Sequence, residues 1–368
     1  MTKLRNTLIV VLMAGAAVAG ASASAGGGTA RPSKVDPRGV AAQSPNPLAG
    51  VRFYVDPNAP SNLQWQVYRR SGQERKAALV WKIAREPKSL WLGRFTRPNF
   101  HVKVRRLIDP ARAQGAVPIF TVLRAEATGC SPTYQGGGPA GDAATHNWYD
   151  DLARAIGGDR VVIAFEPDSL GTIDCLAPGR RDDRIRLLRY GVDALSKLPN
   201  ATIYLEAGAS DWESARRTAR QLRAIGIAKV RGFMLNATHY DWTKANIRHG
   251  LAISRRVGDK HFIINTSENG RGPVHYRANH RVINVWCNPG LRGLGPPPTT
   301  NTSNPMADAY LWINRPGYAQ SCQGRKIAWY PPRALSYARY ATGWESPPRG
   351  TRFGHERHYP PSAFGIGR

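Results

Sequence analysis

The amino-acid sequence predicts an α/β protein whose parallel strands close, or nearly close, into a barrel. Three observations lead there. Short runs of β-branched and aromatic residues recur at about eight places, amphipathic stretches lie between them, and the runs end in polar or small residues. Strand alternating with helix implies a parallel sheet, and about eight repeats favour a barrel over an open sheet. The strand-like runs are VRFYV from 51, SLWLG from 89, VPIFTVL from 117, VVIAFEP from 161, TIYLEAG from 202, GFMLNAT from 232, FIINTS from 262 and AYLWIN from 309. Stretches such as WYDDLARAIG and SARRTARQLRAIG carry the apolar spacing of helices that cover one face of a sheet. In such barrels the functional groups gather at the carboxyl ends of the strands.

The rest of the chain sets the boundaries. Lys3 and Arg5 precede an apolar run from Leu8 to about Val18, followed by small-residue cleavage sites, so residues 1–25 are expected to be a secretory signal. The Gly/Pro-rich segment 26–45 reads as a linker, 46–345 as one barrel domain, and the basic, Pro/Gly-rich segment 346–368 as a loose tail. With no later segment long enough to span a bilayer, the expectation is an extracellular, monomeric protein that does not engage a membrane once the signal is cleaved. Four cysteines, Cys130, Cys175, Cys287 and Cys322, form an even set bound for an oxidising compartment, and two disulfides follow, with three connectivities open. No close Cys/His spacing suggests a metal, and neither metal nor cofactor is expected. The formal charge of +27 makes an anionic polymer a candidate partner. The competing reading is a cationic coat that serves solubility.

Two long loops, RAEATGCSPTYQGGGPAGDAATHN and CNPGLRGLGPPPTTNTSNPMAD, have the length and composition of active-site lids. Ten tryptophans are present, and Trp91, Trp212, Trp286 and Trp312 fall at or just beyond strand ends. Flat indole faces stack on sugar rings, so aromatics beside a carboxylic acid suggest a saccharide groove. The acid is in EPDSLG, where Glu166 and Asp168 leave the strand VVIAF. By itself Asp168 reads as a helix cap, and Glu166 as a buried hydrogen-bonded group.

Taken together, NPLAG, FYVDP, SLWLG, VPIFTVL, EPDSLG with Cys175, YLEAG before Trp212, LNATHYDW, INTSENGRGP, WCNPGLRGLG and AYLWINRPG with Cys322 resemble glycoside hydrolase family 6. They occur in the family's order over about residues 46 to 345. The resemblance implies a distorted, incomplete β/α barrel, cleavage of β-1,4-linked glucan or a related polysaccharide with inversion, and disulfides Cys130 to Cys175 and Cys287 to Cys322. It also implies Asp168 as general acid, with Trp91, Trp212, Asn236, Trp286 and Asn314 at sugar-contacting positions. An inverting glycosidase pairs its acid with a carboxylate about 6.5 to 9.5 Å away that activates water.

The departures from the family pattern gather at the same strand ends and loops. Gly129 stands where the family has an aspartate assisting the acid, Thr128 replaces an arginine and Leu123 a tyrosine. Gln320 occupies the place of the proposed base, Tyr318 and Asn314 depart beside it, and a neutral amide cannot take a proton from water. Glu206 replaces an aspartate, Ala209 a histidine, Asn265 an aspartate and Glu268 an arginine. Two readings compete: a hydrolase in which Glu206, Glu268 or Glu126 supplies or relays the base function, and a catalytically impaired barrel that binds glycan or an anionic polymer. His101, His146, His239 and His261 show no metal-like pairing, with His239 a candidate sugar contact.

Overall fold

The apolar runs become strands because each must be buried on both faces. The run VVIAF forms β3 (Val161–Phe165), where every residue is buried. Around it lie β1 (Leu90–Trp91), β2 (Ile119–Val122), β4 (Ala201–Glu206), β5 (Gly232–Leu235), β6 (His261–Asn265) and, after the hairpin of β7 (Val274–Ala278) and β8 (Arg281–Val285), β9 (Ala307–Leu311). The sheet order is β1-β2-β3-β4-β5-β6-β9, and all its pairings are parallel. The computed structural model describes residues 45–93, 99–125, 142–278, 281–285, 287–319 and 328–341, all within a unit running from Pro37 to Arg368. The expected signal, nearly all of the linker and the basic tail lie outside the described residues.

Helices α1 (Pro60–Arg70), α2 (Glu74–Ala84), α3 (Phe100–Ala113), α4 (Asp142–Ile156), α5 (Pro178–Leu195), α6 (Ala215–Ile225) and α7 (Thr243–Ser254) are joined by α8 (Pro331–Arg339), which packs on α2 beside the short pair β10 (Tyr318–Ala319) and β11 (Ala328–Trp329). The helix α6 shows why the sequence folds this way. The side chain of Ser214 caps its amino end, Gly226 takes φ 100° after its last turn, and Thr218, Ala219, Leu222 and Ile225 form the buried stripe.

Alternate residues of each strand face two different cores. Val161, Ile163 and Phe165 join Phe233, Leu235 and Phe262 beneath the helices, whereas Val162, Ala164, Tyr204, Met234 and Ala309 fill the inner face. Leu48 enters that inner core from the amino-terminal turn, and the Asn46 amide donates to the Asp308 carbonyl at 2.7 Å.

The barrel is incomplete, as the resemblance implied, and the sheet has seven strands where about eight were expected. The run VRFYV contributes only a single bridge, Phe53 to Val117, and the hairpin β7–β8 was not anticipated. Strands β1 and β9 share no ladder. Their seam is joined by the Ser89 amide donating to Trp312 O at 2.9 Å and the Trp91 indole donating to Ile313 O at 3.0 Å.

A buried ionic cluster holds the amino-terminal side of the sheet. Asp308 accepts from the Tyr204 hydroxyl (2.7 Å) and from both Nε and Nη2 of Arg231 (2.8 and 2.9 Å), and His261 Nδ1 lies 3.0 Å away. Burial alone would raise the Asp308 carboxyl, but the bonds from Arg231, His261 and Tyr204 outweigh it and hold the group below the usual carboxylate range. Removing one partner of such a cluster leaves an uncompensated buried charge. Asp308→Ala should therefore lower unfolding stability by about 3 to 5 kcal/mol, read from the midpoint of a denaturant titration.

Candidate functional site

The acid-bearing turn is built from the end of β3. Glu166 and Asp168 adopt left-handed φ values of 54° and 67°, which non-glycine residues take only where neighbours hold them. The Glu166 carboxylate accepts from the Arg124 amide to both oxygens (2.9 Å), from the Ala125 amide (2.9 Å) and from the Tyr149 hydroxyl (2.6 Å). It thereby ties the turn to the segment after β2 and to α4. Burial pushes its carboxyl up to about 7 against those hydrogen bonds. Glu166 is thus the buried hydrogen-bonded group that its sequence context suggested.

On the other flank Glu206, the last residue of β4, accepts from the Leu170 amide (3.1 Å) and the Gly208 amide (2.8 Å). Burial first, and the charge of Asp168 second, raise its carboxyl to about 8. Asp168 itself accepts from the Thr238 hydroxyl, and Thr238 follows β5. His239, the next residue, places Nδ1 at 2.9 Å from Asp211 Oδ1 and stacks on Trp212 with ring centroids 4.6 Å apart at 14°. Burial pulls the imidazole down, but Asp211, Asp168 and Glu206 together raise it above its ordinary value. The edge of Trp212 rests on Gly171, where a Cβ would come within 2.4 Å of the indole. The structure therefore brings Asp168, Glu206, Trp212 and His239 into one cluster.

A second group sits at the ends of β5, β6 and β9. Asn236 (φ 65°) is fully buried, and its amide donates to the Asp241 and Asn265 carbonyls while accepting from the Asp241 amide. Asn265 answers by donating to Asn236 O (2.9 Å) and accepting from the amides of Ser267, Ile313 and Asn314. Glu268 accepts from the Asn314 side chain at 2.8 Å; burial raises its carboxyl to about 7, against the pull of Arg333 and Asn314.

Of the tryptophans, Trp91 is half-buried beneath Arg315, whose guanidinium carbon lies 5.2 Å from its ring. It borders a cavity of about 190 Å³ with Arg315, Tyr318, Trp329, Lys88 and Asp56. Trp312 is instead a core residue, 2% exposed with its indole donating to Pro296 O, because the chain after β9 turns inward against α8. Trp286, Glu126, Thr128, Gly129, Gln320, Cys130 and Cys322 lie outside the described residues. Cys175 and Cys287 are both disulfide-bonded. Among the described residues no cluster of three or more His, Cys, Asp or Glu could hold a metal, and no helix is long and apolar enough to cross a membrane.

Thr238, Asp211 and Tyr149 were not singled out from sequence. Thr238 and Asp211 sit in polar runs directly after strands, which is the signal that could have found them. Tyr149 lies inside an amphipathic helix, where nothing marks it.

The profile of the glycosyl hydrolases family 6 matches residues 48–330. The chain belongs to glycosyl hydrolase family 6. It is similar to endoglucanase A of Cellulomonas fimi, with 33% identity over 302 residues, covering 81% of this chain and 62% of that enzyme. Endoglucanase A of Thermobispora bispora is 28% identical over 92% of this chain and 70% of that enzyme. Among solved structures, the endoglucanase Cel6 of Mycobacterium tuberculosis, in complex with methyl-cellobiosyl-4-deoxy-4-thio-β-D-cellobioside, superposes with a TM-score of 0.73 at 36% identity, over 80% of this chain and 99% of that one. Endoglucanase CEL6B of Humicola insolens shares the fold at 19% identity and a TM-score of 0.68, over 81% of this chain and 99% of that one. The chain spans 62% of the length of the Cellulomonas fimi enzyme.

This family 6 site concentrates three buried carboxyls, at about 7, 8 and 7 for Glu166, Glu206 and Glu268, each raised from 4.5. Between about pH 4.5 and their folded values the native state holds protons that the unfolded chain has released, so stability falls as pH rises. The raised His239 acts in the same direction, since its contribution is lost as pH climbs through its folded value, while the lowered His249 opposes it. The melting temperature should drop between pH 5 and pH 8, and Glu206→Gln should flatten that slope in a scanning-calorimetry series.

Proposed function

We propose that this chain is a secreted glycosidase that cleaves β-1,4-linked glucan or a related polysaccharide with inversion, and that Asp168 is its general acid. The observation that carries the reading is the support given to Asp168. Its turn is braced from one side by Glu166 and from the other by Glu206, and its carboxyl is held by Thr238, at the carboxyl end of a barrel strand. A helix-capping aspartate needs none of this. The endoglucanase names of the relatives support glucan as the substrate class.

In the reaction Asp168 protonates the glycosidic oxygen as its bond to the anomeric carbon breaks, while water attacks from the opposite face and yields its proton to a base. Glu206 has an amide donor on each oxygen, so it positions the acid turn. Glu268, raised to about 7 and bonded to Asn314, is the better matched of the two to receive the water's proton, through an intervening water. Trp91, Trp212 and Asn314 line the sugar path, while Asn236 shapes it from beneath, and Trp286 is a sugar contact by its match to the family pattern. The disulfides are Cys130 to Cys175 and Cys287 to Cys322, consistent with Cys175 and Cys287 being disulfide-bonded. The protein acts as a monomer, exported by residues 1–25.

Asp168→Asn should lower kcat on a soluble β-glucan by about 10² to 10⁴, with KM little changed. The loss should shrink on an aryl cellobioside whose leaving group needs no proton. Proton NMR should show the α-anomer as first product. A wild type that binds β-glucan yet releases no reducing ends would replace the hydrolase by a glycan-binding barrel.

A further inference from the structure

The outward faces of α6 and α7 carry a row of cations with no acid of their own, and of the α6 arginines only Arg217 meets acids, Asp174 and Glu213, among the described residues. Neither ARRTARQLRAI nor TKANIRHGLAIS contains an aspartate or glutamate. With Thr218, Ala219, Leu222 and Ile225 buried, Arg216, Arg220 and Arg223 are exposed at i, i+4 and i+7, one face of the helix. On α7 the exposed positions include Lys244 and Arg248, continued by Arg255 just past the last turn. The helices are neighbours because they link the consecutive strands β4, β5 and β6, and Arg223 of α6 donates to the Arg256 carbonyl beyond α7 at 2.6 Å. An interaxial distance of about 8 to 10 Å and a rise of about 10 Å from Arg216 to Arg223 make one continuous basic field.

Several cations elsewhere are paired with acids, although Arg75, Arg106 and Arg339 stand singly on other helices without an ion pair among the described residues. Arg105 meets Asp109 and Asp159, Arg186 meets Asp183, Lys229 meets Asp193 and Arg231 meets Asp308. By contrast, the side chains of Arg216, Arg220, Arg248 and Arg255 make no ion pair or hydrogen bond among the described residues. Such a row repels itself, and an external polyanion would relieve that repulsion. Both helices run back from the strand ends, so the row begins at the cleft rim, just after Trp212, and descends the outer wall.

The chemistry of the field narrows the partner. Neither helix contains a Phe, Tyr or Trp, and the one imidazole, His249 of α7, is partly buried, so bases of a single-stranded nucleic acid find no broad stacking platform on this face. The exposed large apolar residues, Leu63, Val67, Trp81, Val102, Leu291 and Tyr330, all lie elsewhere, so nothing beside the cations would enter a lipid interface. A regularly charged polymer that needs neither stacking nor insertion fits. We propose that the outer face of α6 and α7 docks a carboxylate-bearing acidic polysaccharide alongside the cleft. The surface lies outside the groove and is independent of whether the groove hydrolyses glucan.

The test measures binding of the full-length protein to polygalacturonate by calorimetry, at about 50 and 200 mM salt. Arg216→Gln, Arg220→Gln and Arg248→Gln are combined in one variant. A control with the same charge change combines Arg75→Gln, Arg106→Gln and Arg339→Gln on other helices, and thermal melts verify that both fold. The proposal expects the α6–α7 variant to lose about tenfold or more in affinity, with a shallower salt dependence, and the control to change less than about twofold. Reducing-end release from a neutral β-glucan should be the same in both variants, which separates this surface from the groove. Equal losses in the two variants would reduce the field to a cationic coat. Absence of wild-type binding at low salt, or a loss confined to duplex DNA with polygalacturonate binding intact, would overturn the proposal.

Discussion

The carboxylate of Glu166 is buried among backbone amides and a phenol that all point at it, and the geometry of the site follows from that arrangement. A carboxyl taken out of water is tolerated only when its acceptor capacity is met. Meeting it here fixes the segment after β2, the start of the turn after β3 and the face of α4 with respect to one another. The left-handed residues 166 and 168 persist because the turn is held at both ends, with Glu206 acting on the Leu170 amide. Asp168 is presented by this frame more than by its own bonds.

The same economy recurs at the ends of β5 and β6. Asn236 and Asn265 exchange side-chain-to-backbone hydrogen bonds, and Asn265 then gathers three amides from the segments after β6 and β9. Neutral amides do this without a charge to desolvate, whereas Glu206 and Glu268 keep ionisable groups buried at values near neutrality. The strand-end site is thus a mixture of neutral pins and carboxyls poised to titrate. Its response to pH belongs to the scaffold as much as to the chemistry.

Much of the fold was legible because strands buried on both faces must be written as unbroken apolar runs, and seven of the eight such runs are strands of the sheet. VRFYV misled because it meets the sheet only through the parallel bridge from Phe53 to Val117, ahead of β2, with Phe53 packed on the inner core and no ladder formed. Asp168, Glu206 and His239 come together as strand-end positions should. Trp312 and Asn236 could not be told from groove residues in sequence, since both follow strands by a residue or two, and only the chain's later path decides which way they turn. Thr238 and Tyr149 were invisible for the opposite reason: a hydroxyl near a strand or within a helix is common, and its importance comes from the carboxylate it meets.

The seam between β1 and β9 gives the molecule a direction of compliance. Elsewhere neighbouring strands are coupled by ladders of bonds that share any load, but across the seam the described links are the Ser89 amide and the Trp91 indole. A sheet fastened this way is stiff around its curve and soft at one line, so thermal bending concentrates there. Trp91 and Asn314 border that line, while Asp168 stands on the rigid arc opposite the opening. The barrel can therefore widen or narrow at one end without disturbing Asp168.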